Sequence, residues 1–260
     1  MTTHYLACSC ILYADDTTFL SVDKDLTKVL SKNEATSEKS LTWLEGNKFY
    51  LNKSKTEVIH FHLRNELVDL NTSNSVQLLG IHLDTKLNWS THTEHLCRKL
   101  SRVLFLIRKL KSVVGQNTLI KAYYALFHSL LQYGIILWGN SSGAQNVFKC
   151  QKKALRSIKG VADIISCKPF FKELKIMTVP SLYIHSCLIY VKNNLAVFDC
   201  RNDIHHYNTR HKDDLNNPHV RLTITQKNFK YASMKLYNLL LQHVKLMPYK
   251  KNLRSIVKHG

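Results

Sequence analysis

Residues 4–22 read HYLACSCILYADDTTFLSV, and this stretch decides the fold of the first part of the chain. Two short, mainly apolar runs, His4–Leu12 and Thr17–Val22, are typical of β-strands. Tyr13–Asp16 lies between them and contains two aspartates, which favour turns. The sequence therefore predicts a hairpin that carries two adjacent carboxylates at its tip.

These carboxylates belong to Asp15 and Asp16. Adjacent carboxylates repel each other, and a divalent cation is the simplest group that neutralises both. Mg²⁺ suits such a site because it prefers hard oxygen ligands and takes one or two carboxylates together with water and substrate phosphates. An ordinary acidic turn is the alternative interpretation of the pair taken alone.

The charge of the chain indicates a polyanionic partner. There are 37 Lys and Arg residues against 18 Asp and Glu, which gives a formal net charge of +19 over 260 residues. The longest apolar stretch, Leu119–Trp138, is interrupted by Lys121 and Gln132, as in a buried helix rather than a bilayer span. The start of the chain also lacks the charged region of a signal peptide. We therefore expect an intracellular protein that binds nucleic acid and no membrane.

The seven cysteines are scattered without regular spacing, which is typical of reduced thiols. Cys8 and Cys10 would point to one face of a strand, and His92, His95 and Cys97 form a compact cluster. Because neither group has the paired spacing of a structural zinc site, we favour thiols that bind no metal.

The character of the sequence changes near residue 90, from short β-branched segments to long helical patterns dense in Lys and Arg. Before this point the pattern predicts a helix at Leu26–Leu44 and strands at Thr56–Phe61 and Val76–Leu83. Gly80 inside the last strand indicates a bend or a close backbone approach.

After residue 90 the apolar periodicity predicts a series of helices. The expected spans are Leu96–Leu110, Thr118–Leu137, Ala144–Lys159, Leu182–Val191 and Phe229–Val244. Gly160 is a typical residue to end the third of these helices. The predicted fold class is therefore α+β, with antiparallel hairpins and a helix followed by a mostly helical remainder.

The helix predicted at Ala144–Lys159 carries a cationic stripe. Its members are Lys149, Lys152, Lys153 and Arg156, at positions i, i+3, i+4 and i+7. Residues at these spacings share one face of a helix, as cations that follow a phosphate backbone would. A solvated outer face of a packed helix has the same pattern, so both interpretations stay open.

Several short motifs follow the hairpin in a fixed order. They are Trp43-Leu44, Asn47-Lys48, Leu51–Glu57 (LNKSKTE) and Leu78–Asp84 (LLGIHLD), and later Leu87–Trp89 with His92, Tyr133-Gly134, Trp138–Asn140, Gln151–Lys153 with Arg156, Pro180–Tyr183 and Asn208–Arg210. This order and spacing resembles the run after the catalytic hairpin in reverse transcriptases of non-LTR retrotransposons, particularly the LINE-type, jockey-like elements of arthropods. The resemblance covers nearly the whole chain.

The resemblance implies a partial reverse-transcriptase palm at 1–90 with motifs C, D and E, a helical thumb-like region at 91–160 and a helical C-terminal region at 161–260. It also implies an RNA-directed DNA polymerase that acts on an RNA template, a DNA primer and a deoxynucleoside triphosphate. Two Mg²⁺ ions would assist attack of the primer 3′-hydroxyl on the α-phosphate. Such an element would place the protein in the nucleus.

The resemblance assigns the hairpin tip as motif C. Asp15 matches the aspartate that binds metal, and Asp16 matches its less strictly required neighbour. Tyr13 and Ala14 match the residues next to the template–primer and the incoming nucleotide. The tip is therefore the expected catalytic centre of the family.

Three further groups of residues receive roles from the resemblance. Lys55 matches the motif D lysine that assists departure of pyrophosphate, with Lys53 as the competing candidate. Leu79 and Gly80 match motif E, the primer grip. The cationic stripe matches the thumb, which binds the phosphates of the template–primer duplex.

A complete polymerase site of this family needs a further carboxylate, in motif A, and a fingers region upstream. Twelve residues precede Tyr13, and none is acidic. We therefore expect no polymerase activity from this chain alone. One alternative is a non-catalytic nucleic-acid-binding remnant. Another is a metal-dependent nuclease or phosphohydrolase that uses the two aspartates with His82 or His92, and the ordered motifs argue against it.

Overall fold

The computed structural model describes residues 8–62, 72–204, 212 and 214–246. These residues form an α+β structure with two antiparallel hairpins and a mostly helical remainder, which confirms the predicted class. The chain divides into two compact units, one up to Val58 and the other from Ile59 onward. The second hairpin shares a unit with the helices. The expected segments 1–90, 91–160 and 161–260 stay a prediction.

The first unit begins with the predicted hairpin. Strand β1, Ser9–Tyr13, pairs antiparallel with β2, Asp16–Leu20, so that Tyr13 lies opposite Asp16. Ala14 and Asp15 form the two-residue turn, and Ala14 adopts a left-handed φ of 52°. Left-handed backbone at the first turn residue suits the twist of a tight hairpin.

Helix α1, Leu26–Gly46, confirms the helix predicted at Leu26–Leu44. It begins after Asp25, whose carboxylate accepts a hydrogen bond from the backbone N–H of Thr27, as an N-cap does. Thr36 is its buried residue, and the Thr36 hydroxyl donates to the Cys8 thiol at 3.4 Å. A 3₁₀ turn, Lys53–Lys55, follows.

Two strand predictions are wrong. Thr56–Phe61 belongs to neither hairpin and forms no strand. An alternating pattern alone is not sufficient, because an extended segment becomes a strand only when another segment pairs with it. The single strand expected at Val76–Leu83 is instead a hairpin of β3, Ser75–Leu78, and β4, Ile81–Asp84. Its turn residues, Leu79 and Gly80, both have positive φ, 48° and 78°, which is the type I′ pattern.

The second unit continues with helix α2, Ser90–Leu110. The carboxylate of Asp84, the last residue of β4, orders the loop between the strand and this helix. Asp84 is buried, and it accepts hydrogen bonds of 2.8 Å from the backbone N–H groups of Asn88 and Trp89. These bonds fix the chain between the hairpin and the helix, where Trp89 adopts a φ of 66°.

The helix predicted at Thr118–Leu137 is interrupted in the structure. It consists of α3, Gln116–Ala122, a π-helical segment, Tyr123–His128, then α4, Ser129–Gln132, and α5, Ile135–Trp138. The break between α4 and α5 lies at Gly134, which has a φ of 61°. The positive φ favours glycine, and a Cβ at this position would lie 2.7 Å from Cδ1 of Ile81, so the second hairpin also approaches closely here.

Helix α6, Ala144–Lys159, ends at Gly160 with a φ of 74°, as predicted. Its apolar face packs against α2 and buries Val147, Ala154, Leu155 and Ile158. The largest side chains of this main core are fully buried, among them Trp138, Tyr123, Phe127, Leu100 and Ile107.

The remaining helices complete the second unit. They are α7, Lys168–Glu173, α8, Val179–Asn193, α9, Arg201–Ile204, α10, Thr223–Lys227, α11, Phe229–Asn238, and α12, Gln242–Leu246. Helix α8 includes the predicted Leu182–Val191 and packs against α11 around a smaller core. None of the helices in the described part of the chain has the length and apolar character that a membrane span requires.

The final predicted helix, Phe229–Val244, is divided into α11 and α12. Asn238 is the last residue of α11, and its side chain pairs with the backbone of Leu215, accepting from the N–H and donating to the carbonyl at 2.9 Å each. The motif at Asn208–Arg210 lies outside the described residues.

One buried polar side chain joins three parts of the main core. Gln151 on α6 is fully buried, and its Nε2 donates to the Tyr123 hydroxyl and to the Met177 carbonyl at 2.9 Å each. Its Oε1 accepts from the backbone N–H of Val179 at 2.9 Å. Every polar atom of this amide therefore has a partner, as a buried amide requires.

Replacing Gln151 by Leu should lower the free energy of unfolding by at least about 2 kcal/mol, because three buried polar groups lose their partners. Urea denaturation of the two proteins measures the loss. The matched control is Gln145→Leu on the same helix, where the side chain is exposed. An equal loss in both variants would contradict the structural role of the buried amide.

Candidate functional site

The two carboxylates occupy the hairpin tip. Asp15 is the second residue of the turn, and Asp16 is the first residue of β2. Both side chains are exposed, and neither has a hydrogen bond or an ion pair with any described residue. Their negative charges are thus neutralised by no described side chain and stay available to a cation.

An aromatic ring lies beside this pair. Tyr13 is directly opposite Asp16 across the two strands, so the two side chains are on one face of the hairpin. The ring is 63% exposed, and Leu12 next to it is 70% exposed. The tip therefore combines two carboxylates with accessible apolar surface.

The chemistry of the tip fits Mg²⁺. Carboxylate oxygens are hard ligands, and two of them leave most positions of an octahedral ion to water or phosphate oxygens. In the described part of the chain, no three residues of the types His, Cys, Asp and Glu are grouped to hold a metal ion. The two aspartates alone would therefore bind the ion weakly, and the zinc alternative at His92, His95 and Cys97 gains no support.

The two candidate motif D lysines share the 3₁₀ turn in the first unit. The Asn52 side chain orders this turn by accepting from the Ser54 backbone N–H at 3.1 Å and from its hydroxyl at 2.7 Å. Lys53 and Lys55 are both exposed, and neither forms an ion pair with a described residue. Both ammonium groups remain candidates.

The residues assigned to the primer grip, Leu79 and Gly80, form the turn of the second hairpin. The Tyr133 hydroxyl donates a hydrogen bond of 2.5 Å to the Leu79 carbonyl. Tyr133 follows α4, so the turn is attached to the helical part of its own unit. The sequence motif contains this tyrosine, but nothing in the pattern indicated the contact.

The cationic stripe lies on α6 opposite its buried face, and its four members differ in availability. Lys152 Nζ lies 4.3 Å from the centre of the Phe148 ring, and Arg156 Nε donates to the Ile165 carbonyl at 2.9 Å. Lys149 and Lys153 are exposed, and Lys149 Nζ makes a long hydrogen bond of 3.4 Å to Oδ1 of exposed Asn146. These two are the better candidates for phosphate contacts, whereas the other two also stabilise the fold.

A second cationic face lies on α2, within the region that the sequence showed to be dense in Lys and Arg, and it includes an aromatic residue that the pattern did not single out. Arg98, Arg102, Phe105 and Lys109 are all exposed and recur at helical spacing. Lys109 Nζ lies 5.6 Å from the Phe105 ring centre. Exposed aromatic rings among cations are typical of surfaces that bind nucleic acid. The spacing of the cations around Phe105 was the available signal.

The charge of the segment that contains both faces is one-sided. Residues 90–162 contain twelve Lys and Arg residues and a single acidic residue, Glu94. Such an imbalance creates a positive potential that attracts a polyanion.

No family model, curated protein or solved structure matches the chain. Its motifs, geometry and charge are therefore the basis of the proposed function.

We expect Mn²⁺, a paramagnetic substitute for Mg²⁺, to broaden the amide NMR signals of the hairpin tip. Replacing Asp15 and Asp16 by Asn should remove this broadening, because the ligand charge is lost. Asp163→Asn, an exposed aspartate of the second unit, is the matched control. Broadening that survives the double replacement would contradict a metal site at the tip.

We also expect binding to a DNA duplex that weakens steeply as salt rises. Replacing Lys149 and Lys153 by Ala should reduce the slope of log K against log salt by about 0.9 for each lost phosphate contact. Fluorescence anisotropy over a series of salt concentrations measures the slope. The control pair is Lys227 and Lys230 on α10 and α11, and an equal change in both pairs would identify the stripe as a solvated face.

Proposed function

We propose that the chain is part of an RNA-directed DNA polymerase, the reverse transcriptase of a non-LTR retrotransposon. The observation that carries the proposal is the exposed Asp15–Asp16 pair at the turn of an antiparallel hairpin. The order of the later motifs supports it, because the motif D lysines follow a helix and the motif E residues form a second hairpin turn. RNA template, DNA primer and deoxynucleoside triphosphate would be the partners, in the nucleus.

Each group of residues has a role in this proposal. Bound at Asp15 and Asp16, Mg²⁺ would supply Lewis-acid stabilisation of the attacking and leaving oxygens. The ammonium group of Lys55 or Lys53 would neutralise the developing charge of pyrophosphate. The exposed Tyr13 ring offers a surface for a base or sugar next to the carboxylates.

The helical part of the second unit would hold the template–primer duplex. Lys149 and Lys153 on α6 and the basic face of α2 present exposed cations, and phosphate contacts of this kind bind a duplex without reading its sequence. The turn at Leu79–Gly80 would support the primer end through its backbone. The described contacts tie this turn to Tyr133, in the same unit as the basic helices.

A non-catalytic nucleic-acid-binding protein is the second candidate. The observation that favours it is the absence, among the described residues, of a third metal-ligating group beside Asp15 and Asp16. Binding requires only the basic segment 90–162, which holds twelve cations against one acid. The two candidates share the duplex-binding surface and differ in chemistry at the hairpin tip.

We expect the isolated chain to extend no primer on an RNA template, because two carboxylates do not position two metal ions and a nucleotide. Joined to a fingers-and-palm segment that carries a motif A carboxylate, the chain should support extension. In that protein Asp15→Ala should reduce extension to background, and Lys55→Ala should slow it by about 10²-fold.

Gel analysis of primer extension measures both effects. Asp163→Ala is the control for the aspartate, and Lys53→Ala distinguishes the two candidate lysines. Extension by the isolated chain would overturn the account of an incomplete site. Failure of every joined protein to extend a primer, with duplex binding intact, would favour the non-catalytic candidate.

A further inference from the structure

A small pocket lies in the second unit between the turn of the second hairpin and α2. It has a volume of about 70 Å³, more than the roughly 15 Å³ that one water requires. Leu96 and Leu130 form the apolar part of its lining. The turn and several polar side chains form the rest. They are Gly80, His82, His92, His95, Lys99 and Tyr133.

The polar lining is basic and contains no acid. The rings of His82 and His95 are stacked with centres 4.0 Å apart, and Lys99 lies one helical turn beyond His95. The two nearest acids along the chain are engaged elsewhere. Asp84 accepts two backbone N–H groups at the start of α2, and Glu94 lies 4.0 Å from Arg98. The pocket therefore offers donors and positive charge to a ligand.

His92 adds a buried donor without an acceptor. It is 6% exposed, and its Nδ1 accepts from the backbone N–H of His82 at 3.4 Å. This bond places the proton of the neutral ring on Nε2, which has no hydrogen-bond partner among the described residues. A buried donor of this kind is costly unless an acceptor completes it.

Burial and the neighbouring positive charges favour the neutral form of two histidine rings in the pocket. Burial, followed by the charges of His95 and Lys99, lowers the pKa of His82 below its ordinary value. Burial, followed by His82, Lys99 and His95, lowers the pKa of His92 to about 4. Both rings are therefore neutral near pH 7. An anion in the pocket would favour the charged rings and raise both pKa values.

We propose that this pocket binds one phosphate group, held by the Lys99 ammonium group and by the imidazole N–H donors of His82 and His95. Its identity as a backbone phosphate of nucleic acid rests on the proposed function, whereas the anion site itself does not. A transition metal is disfavoured. Nitrogen lone pairs lie in the ring planes, so two nearly parallel rings direct them side by side rather than toward one ion.

The test of the pocket is a titration of the full chain with inorganic phosphate, observed through the ¹⁵N signals of the imidazole rings. We expect saturable changes at His82 and His95 that chloride at equal ionic strength does not cause, together with a higher pKa of His82. Lys99→Gln and His95→Gln should each abolish saturation. Lys227→Gln, exposed on α10, should not.

No saturable change with phosphate, or an equal change with chloride, would overturn the anion site. Saturation that persists in both Lys99→Gln and His95→Gln would do the same. The far-ultraviolet circular dichroism of each variant verifies that α2 is folded. These outcomes are independent of any polymerase or nucleic-acid-binding activity.

Binding of a short RNA–DNA duplex at constant ionic strength distinguishes the source of the phosphate. If a backbone phosphate enters the pocket, affinity should rise as pH falls from about 8 to about 6, by up to about tenfold per pH unit for each proton taken up. Lys99→Gln and His95→Gln should flatten this dependence. If the wild-type chain is saturated by phosphate but the pH dependence of duplex affinity is the same in the wild type and in both variants, the pocket binds free phosphate. That result would overturn its link to nucleic acid.

Absence of duplex binding at every pH would instead overturn the proposed function and the backbone assignment together. The phosphate titration would still decide whether the pocket is an anion site.

Discussion

The buried carboxylate of Asp84 is the interaction on which much of the second unit depends. It ends β4 and caps two backbone N–H groups just before α2, so one side chain sets the direction in which the helix leaves the hairpin. That direction brings His92 and His95 against His82 and turns the basic face of α2 outward. The packing of α2 on α6 then places two cationic surfaces on neighbouring helices.

The parts of the fold that local sequence determines were predictable. The first hairpin and the end of α6 at Gly160 each follow from signals within a few residues, namely turn-forming aspartates and a glycine that adopts a left-handed φ. The break at Gly134 was not predicted, and the approach of Ile81 to this glycine, from a distant part of the sequence, appears only in the packed structure. Gly80 indicated a bend at the Leu79–Gly80 turn, but the apolar run around it also fits one strand, so the hairpin itself was not predicted.

The candidate site also combines features that local sequence determines with features that depend on contacts between distant residues. The sequence identified the aspartate pair and the four cations of α6, since residue type and spacing suffice for both. It did not show that Phe148 and Ile165 engage Lys152 and Arg156, which leaves Lys149 and Lys153 more available. The histidine pocket draws on β4, α2 and the residue after α4, so it exists only once these elements pack together.

The bond between Tyr133 and the Leu79 carbonyl has a mechanical consequence. The backbone of this two-residue turn is held by the side chain of Tyr133, which follows α4. A displacement of α4 would therefore pull the turn with it, and the histidine pocket beneath would change shape in the same movement. Strain applied to the helices by a large ligand would thus reach the hairpin through this phenol group and through the packing of Ile81 beside Gly134.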